Sequence, residues 1–244
     1  MAEVVKPKHT NTTAVAVFVK TPGVSPLKTR LAAGIGAEAA AEFYLLSIAA
    51  VEQQLAQIKK HIGIEPFWAI AEETELDNPL WQNHQRLWTG PGDLGERQSQ
   101  VYDELRQNFS QVILIGADAP QLCEHQFSAV LSALNDNEFV FGPAHDGGYY
   151  LFAGRSNIAR SVWQNVPWST MSTRAVLQEK LAKRSAALKP LMDVDEAADL
   201  PVMQEELQKV PETMRVPGQT AILEWLKRYT NLHQEHKILH SVDD

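Results

Sequence analysis

A three-layer α/β/α sandwich, with a mostly parallel sheet and one antiparallel strand, is the fold class this sequence predicts. Short apolar runs rich in Val and Ile alternate with longer segments of helical periodicity. That order belongs to a parallel sheet with crossover helices. The first run, "AVAVFV" (Ala14–Val19), is continuous rather than alternating, as in a strand covered on both faces. Two later runs, "FVFGPA" and "GGYYLFAG", follow each other too closely to enclose a crossover, so they predict one antiparallel turn.

Taken in order, residues 1–13 read as a flexible leader and 14–244 as a single domain. Between Ala37 and Lys60, Tyr44, Ile48, Val51, Leu55 and Ile58 fall on one stripe at helical spacing. "FWAIA" (Phe67–Ala71) and "QRLWT" (Gln85–Thr89) read as the next strands. "LGERQSQVYDELRQNF" reads as a helix with Tyr102, Leu105 and Phe109 on one side. "VILIGADAP" is a buried strand running into Gly, Asp and Pro. A helix over about His125–Leu134 leads into the two closely spaced strands. Helices are expected around Ile158–Gln164 and Ser172–Lys183, and "AALKPLMDVDEAADL" reads as a last strand, a loop and a helix start. From about residue 201 a helical extension follows, with an amphipathic stretch ending near Tyr229 that is expected to cover the sheet or to contact a second copy in a homodimer.

The 244 residues carry a net charge of -8 and are 44% apolar, enough for a substantial core. An acidic balance argues against a nucleic-acid surface, which needs clustered Lys and Arg. The lone cysteine, Cys123, excludes an internal disulfide. No signal core and no run long enough to span a bilayer is evident, so a cytoplasmic location without a membrane span is expected. His233, His236 and His240 read as solvated imidazoles on a polar tail helix rather than as a zinc site.

Ligands of open parallel sheets sit beyond the carboxyl ends of the strands, where connectivity reverses. Four chemically distinctive stretches follow predicted strands. "FVKTPGVSPLKTRLA" brings Lys20, Gly23, Lys28 and Arg30 together ahead of a helix N-terminus in an otherwise acidic chain. Lysine, arginine and exposed amides there suit phosphate oxygens, although a solvated turn would look the same locally. "GPGDLGER" has the glycines to wrap a flat group, or is a flexible turn in which Asp93 caps the next helix. In "LIGADAP", Asp118 at a strand end is placed to hold a cation bridging two phosphates, with Asp193 and Asp195 of "LMDVDEAADL" as partners, or these carboxylates are caps and turns. In "GPAHDGGYYL", Asp146 or His145 suits a general base at a cleft mouth and Tyr149 a stacking surface, while Asp-Gly-Gly also signals a hairpin. Trp168 of "VPWST" is a candidate to close over a ligand.

Together, these motifs in this order resemble the selenodomain-associated transferase family, of GT-A glycosyltransferase type, over roughly Ala14 to Leu200. The chain is similar, more distantly, to phospholactate and molybdenum-cofactor guanylyltransferases. The resemblance implies the nucleotide-diphospho-sugar transferase fold, Rossmann-like, and a nucleotide or nucleotide-sugar donor. It implies Lys20, Lys28 and Arg30 beside the phosphates and Gly92, Leu94 and Gly95 beside the base or ribose. It implies Asp118, with Asp195 or Asp193, at a Mg or Mn ion. One departure is that the Asp-x-Asp common in such enzymes has Gly116 at its first position. The expected activity is transfer from a nucleoside-diphosphate sugar to a small acceptor, with Asp146 deprotonating the acceptor and His145, Tyr149 and Trp168 around it. The alternatives are a nucleotidyltransferase that releases pyrophosphate, with Lys28 and Arg30 stabilising its transition state, and a nucleotide-binding module without catalysis.

Overall fold

Valines and alanines alternate along the first strand, β1 (Thr13–Val19), and this alternation divides the core. Val15, Val17 and Val19 pack into one apolar cluster, and Ala14 and Ala16 into another on the opposite face. The continuous run is therefore a strand covered on both sides. The computed structural model describes residues 12–240, with side chains through 230. Thr13, assigned from sequence to the leader, already belongs to β1, and its hydroxyl donates to Gln111 (2.9 Å). Residues 1–11 of that leader and the imidazoles of His233, His236 and His240 lie outside the described residues and side chains.

After β1 come α1 (Thr29–Ile35), α2 (Ala37–Ile62), β2 (Glu65–Ile70), β3 (Gln85–Trp88), α3 (Leu94–Arg106), β4 (Gln111–Gly116) and α4 (Glu124–Asp136). Then follow β5 (Phe139–Pro143), β6 (Tyr149–Gly154), α5 (Arg160–Gln164), α6 (Thr173–Leu181), β7 (Ser185–Ala187), α7 (Asp199–Lys209) and α8 (Pro217–His240). The sheet order is β3-β2-β1-β4-β6-β5-β7. All neighbours are parallel except those of β6, which is antiparallel to both β4 and β5. The chain builds outward from β1 to β3 and then returns to the other side of β1 with β4. The reversal of connectivity thus falls between β1 and β4.

The stripe Tyr44, Ile48, Val51, Leu55 and Ile58 of α2 joins Phe127, Val130 and Leu134 of α4 over one face of the sheet. Val101, Tyr102 and Leu105 of α3, Trp163 of α5, and Leu177 and Leu181 of α6 cover the other. Trp68, Trp81 and Trp163 are fully buried. Each large apolar side chain removed from water in this way contributes about 1.5–3 kcal/mol.

The C-terminal helices cover helices rather than the sheet. Leu200, Met203 and Leu207 of α7 and Ile222, Trp225 and Leu226 of α8 pack on Leu31 and Ile35 of α1 and on Phe43 and Ala50 of α2. Helix α2 is thereby buried along two sides. Gly218 lets α8 approach it closely, since a Cβ there would stand 2.6 Å from the Ala50 Cα. The last strand is shorter than its apolar run suggests. It pairs with β5 only over Ser185–Ala187, and a single later bridge joins Ala144 to Leu191 beyond Pro190, which has no N–H to give a ladder.

Candidate active site

Strand register brings the charged loops together. Because β1 and β4 pair Phe18 with Gly116, the basic loop that starts at Lys20 emerges beside the loop that carries Asp118. Because the bridge pairs Ala144 with Leu191, Asp146 and Asp193, each two residues further on, emerge side by side. All open into one cleft of about 690 Å³ at the reversal point. Lys20, Lys28, Arg30, Leu94, Asp118, Asp146, Tyr149, Trp168, Asp193 and Asp195 line it. Arg30 and Asp118 therefore open onto the same pocket.

Lys28 is the hub of the charged wall. Its Nζ lies 2.9 Å from Asp118 Oδ1 and 3.4 Å from Asp195 Oδ1, and it donates to the Val194 carbonyl at 2.6 Å. Its side chain is only 7% exposed. Its backbone sits in the left-handed region (φ 43°, ψ 43°), a conformation that costs a non-glycine residue about 1–3 kcal/mol and that surrounding contacts must hold. Arg30, mostly exposed, reaches Asp195 Oδ2 at 2.5 Å. The start of the same loop is pinned by the Tyr44 hydroxyl, which accepts from Lys20 N–H (2.9 Å) and donates to its carbonyl (2.8 Å).

Oxygens of Asp146, Asp193 and Asp195 lie within 4.8 Å of one another. Burial and the neighbouring Asp146 carboxylate push the Asp193 carboxyl up to about 7. Hard oxygen donors crowded in this way match the chemistry of Mg²⁺ or Mn²⁺, and a dication would relieve the repulsion that raises Asp193. Asp118, expected as the main metal residue, stands beside this group and is held by Lys28. Asp146, expected to deprotonate an acceptor, stands within this group. It also accepts the Gly148 N–H (2.7 Å) in the hairpin turn between β5 and β6. Asp195 does not take the helix-cap role considered for it, since no side chain caps α7; Asp199 Oδ2 accepts from the N–H of Asp195 and of Glu196, and the Asp195 side chain reaches Lys28 and Arg30.

The glycine-rich loop is less direct. Asp93 caps α3 in a box with Glu96. Gly92 has φ 102°, and its carbonyl accepts from Arg97 Nε (3.0 Å). Gly95 does not line the cleft, because it faces Trp168, whose Nε1 would lie 2.1 Å from an added Cβ. Trp168 stacks on Trp163 (centroids 6.1 Å, 16°) and donates to its carbonyl at 3.0 Å, so it is a fixed wall. Gly23 and His145 also lie off the lining; His145 Nε2 is 3.8 Å from Glu206 Oε1. The Tyr149 hydroxyl, driven up by burial, donates to Gln98 Oε1 (2.6 Å).

Sequence reading missed Thr89, Arg97 and Gln98, which also line the cleft. Arg97 and Gln98 stand three and four residues after Leu94 on α3, so helical spacing from that residue was the signal that would have found them.

The architecture is that of the nucleotide-diphospho-sugar transferase fold. It superposes on a candidate nucleotide-diphospho-sugar transferase from Desulfovibrio desulfuricans with TM-score 0.78 and 22% identity, covering 91% of this chain and 97% of that one. It is also similar to a 4-diphosphocytidyl-2C-methyl-D-erythritol synthase from Anaerococcus prevotii (TM-score 0.52, 11% identity, 81% and 96% covered). CMP:2-keto-3-deoxy-manno-octonic acid synthetase, solved with CTP, gives TM-score 0.51, 13% identity, and 82% and 100% covered. Residues 50–170 match the DUF2064 family, described as an uncharacterized protein conserved in bacteria. No curated protein matches the sequence significantly. The family match takes in Asp118, Asp146 and Trp168 but neither the basic loop nor Asp193 and Asp195. Among the described residues no helix is long and apolar enough to cross a membrane.

Proposed function

We propose that the protein is a metal-dependent transferase acting on an activated nucleotide, with a nucleoside-diphosphate sugar as donor. The observation that carries this reading is the convergence of Lys20, Lys28 and Arg30 with Asp118, Asp146, Asp193 and Asp195 on one cleft at the sheet's reversal point. Asp146, Asp193 and Asp195 would hold Mg²⁺ or Mn²⁺. The ion supplies charge neutralisation for a diphosphate leaving group. Lys28 and Arg30 would bind the remaining phosphate oxygens, Arg30 as a bidentate fork. In water-excluded surroundings such fixed charges act strongly on a transition state that builds negative charge. Leu94, Arg97, Gln98 and Trp168, which line the cleft beside these charges, would border the nucleoside.

A nucleotidyltransferase is the second reading, and the placement of Asp146 favours it. A carboxylate shared among three acids and tied to Gly148 N–H is poorly free to take a proton from an acceptor hydroxyl. A phosphate nucleophile is already ionised and needs no such base.

One experiment separates the readings. Sugar nucleotides and nucleoside triphosphates are screened by thermal shift with and without Mn²⁺, where a ligand at about 100 times its Kd stabilises by about 2.7 kcal/mol. Hits are then followed for product. Nucleoside diphosphate release supports the first reading and pyrophosphate release the second. Asp195→Ala is expected to remove the metal dependence of the shift; metal-dependent binding that survives it contradicts the site.

A further inference from the structure

Each loop that carries a cleft carboxylate touches one residue of α7. Glu206 is largely buried, with a side chain 15% exposed. Its Oε2 accepts the Met192 N–H at 2.9 Å, immediately before Asp193. The same oxygen accepts Gln121 Nε2 at 2.8 Å, three residues after Asp118. Its other oxygen lies 3.8 Å from Nε2 of His145, the neighbour of Asp146. Gln121, 1% exposed, closes the ring by donating to the Met192 carbonyl at 2.5 Å. The Met192 peptide is thus gripped at both its N–H and its C=O. Val194 N–H, donating to the Asp118 carbonyl at 3.0 Å, ties the next step of the chain to the same strand end.

Otherwise residues 189–195 are held by scattered contacts: the Tyr150 hydroxyl on the Lys189 carbonyl (3.2 Å), the Leu191 N–H on the Pro143 carbonyl (3.1 Å) and Lys28 Nζ on the Val194 carbonyl (2.6 Å). The strand before them is three residues long, and Pro190 interrupts its ladder. A segment so weakly paired samples many conformations unless polar contacts fix it. Asp193 and Asp195 must nevertheless be held close to Asp146 against mutual repulsion. Polar groups behind metal-binding side chains typically do this, and losing one costs about 10–100-fold in metal affinity.

We propose that Glu206 is a positioning residue which, with Gln121, clamps the Met192 peptide and so sets Asp193 and Asp195 in the cleft. Its purpose rests on the transferase reading above, whereas the clamp itself concerns the loop alone. It makes α7, which lies beyond the family match at residues 50–170, part of the site's machinery.

The test uses the full chain, Mn²⁺ alone as probe by calorimetry, and hydrogen exchange of the 189–197 segment without metal. Glu206→Ala is expected to weaken Mn²⁺ binding by about 10–100-fold and to speed exchange in that segment. Leu207→Ala, the next residue on α7 and fully buried, serves as the control. It is expected to lower Tm while leaving both readouts near wild type. Glu206→Gln keeps an acceptor for Met192 but sets an amide N–H against that of Gln121, and is expected to fall between; it also covers failure of the alanine variant to fold. Wild-type Mn²⁺ affinity and unchanged exchange in Glu206→Ala would overturn the clamp, as would Leu207→Ala reproducing both effects. Absence of Mn²⁺ binding by the wild type would count against the metal reading, and the exchange comparison would still decide the clamp.

Discussion

The two sides of the sheet's reversal point supply the cleft with opposite charges by different means. On the β1 side, Lys20, Lys28 and Arg30 come from one continuous stretch of eleven positions, the loop after β1 and the first turn of α1. On the β4 side, Asp118, Asp146, Asp193 and Asp195 come from three loops spread over almost eighty positions and meet through strand pairing and the Glu206 contacts. The cation side is written locally. The acid side is a product of tertiary structure, and burial together with the neighbouring Asp146 carboxylate raises Asp193.

The most severe way to break this pairing is to remove its hub. Lys28→Ala deletes a nearly buried ammonium shared by Asp118 and Asp195. Nucleotide binding is expected to vanish in the thermal-shift assay. The fold itself should lose about 1–3 kcal/mol by denaturant titration, the lower end reflecting the partial exposure of Asp118. Mn²⁺ alone should still bind, because the carboxylates remain. Loss of metal binding together with nucleotide binding would show the two sides to be inseparable.

A smaller effect is expected from the acid side. Asp193 holds its proton up to about 7 in the fold, against an ordinary 3.8. Between those values the native state binds more protons than the unfolded chain, so this group makes stability fall as pH rises. Asp193→Asn removes that loss. It is expected to stabilise the metal-free protein by about 2 kcal/mol at pH 8, roughly half of what the full shift converts to because the carboxyl keeps some solvent, and by little below pH 4. Parallel stability curves for variant and wild type from pH 4 to 8 would refute the raised Asp193 carboxyl. Metal affinity should correspondingly rise with pH through about 7, with protons released on binding.

The smallest effect on stability belongs to Arg30. Its pair with Asp195 is exposed to solvent on the arginine side, so Arg30→Ala should change stability by less than about 0.5 kcal/mol. Nucleotide affinity should nevertheless fall. An Arg30→Ala variant that binds nucleotide as wild type does would leave Lys28 as the sole phosphate contact among those proposed.

The same contrast explains what was legible in the sequence. Apolar runs, the stripe on α2, the single reversed strand and the basic loop are patterns of near neighbours, and all appear in the fold. The grouping of Asp146 with Asp193 and Asp195 depends on β5 pairing with β7, which no local pattern encodes. Trp168 was legible as a cleft residue, but not its stacking on Trp163 or its contact with Gly95 of α3, which fix it as a wall. Gly95 was read as approaching a ligand when it approaches that indole instead; a glycine signals a close contact without naming the partner. The role of Glu206 was invisible because it lies outside every motif and acts through a backbone peptide.

Because β6 runs against its neighbours, the chain turns back at the end of β5 on the rim of the cleft rather than crossing to the far edge. That short reversal carries Asp146, and Tyr149 stands at its foot. Lengthening or reshaping five residues there would redesign one bank of the pocket while every ladder of the sheet stayed intact.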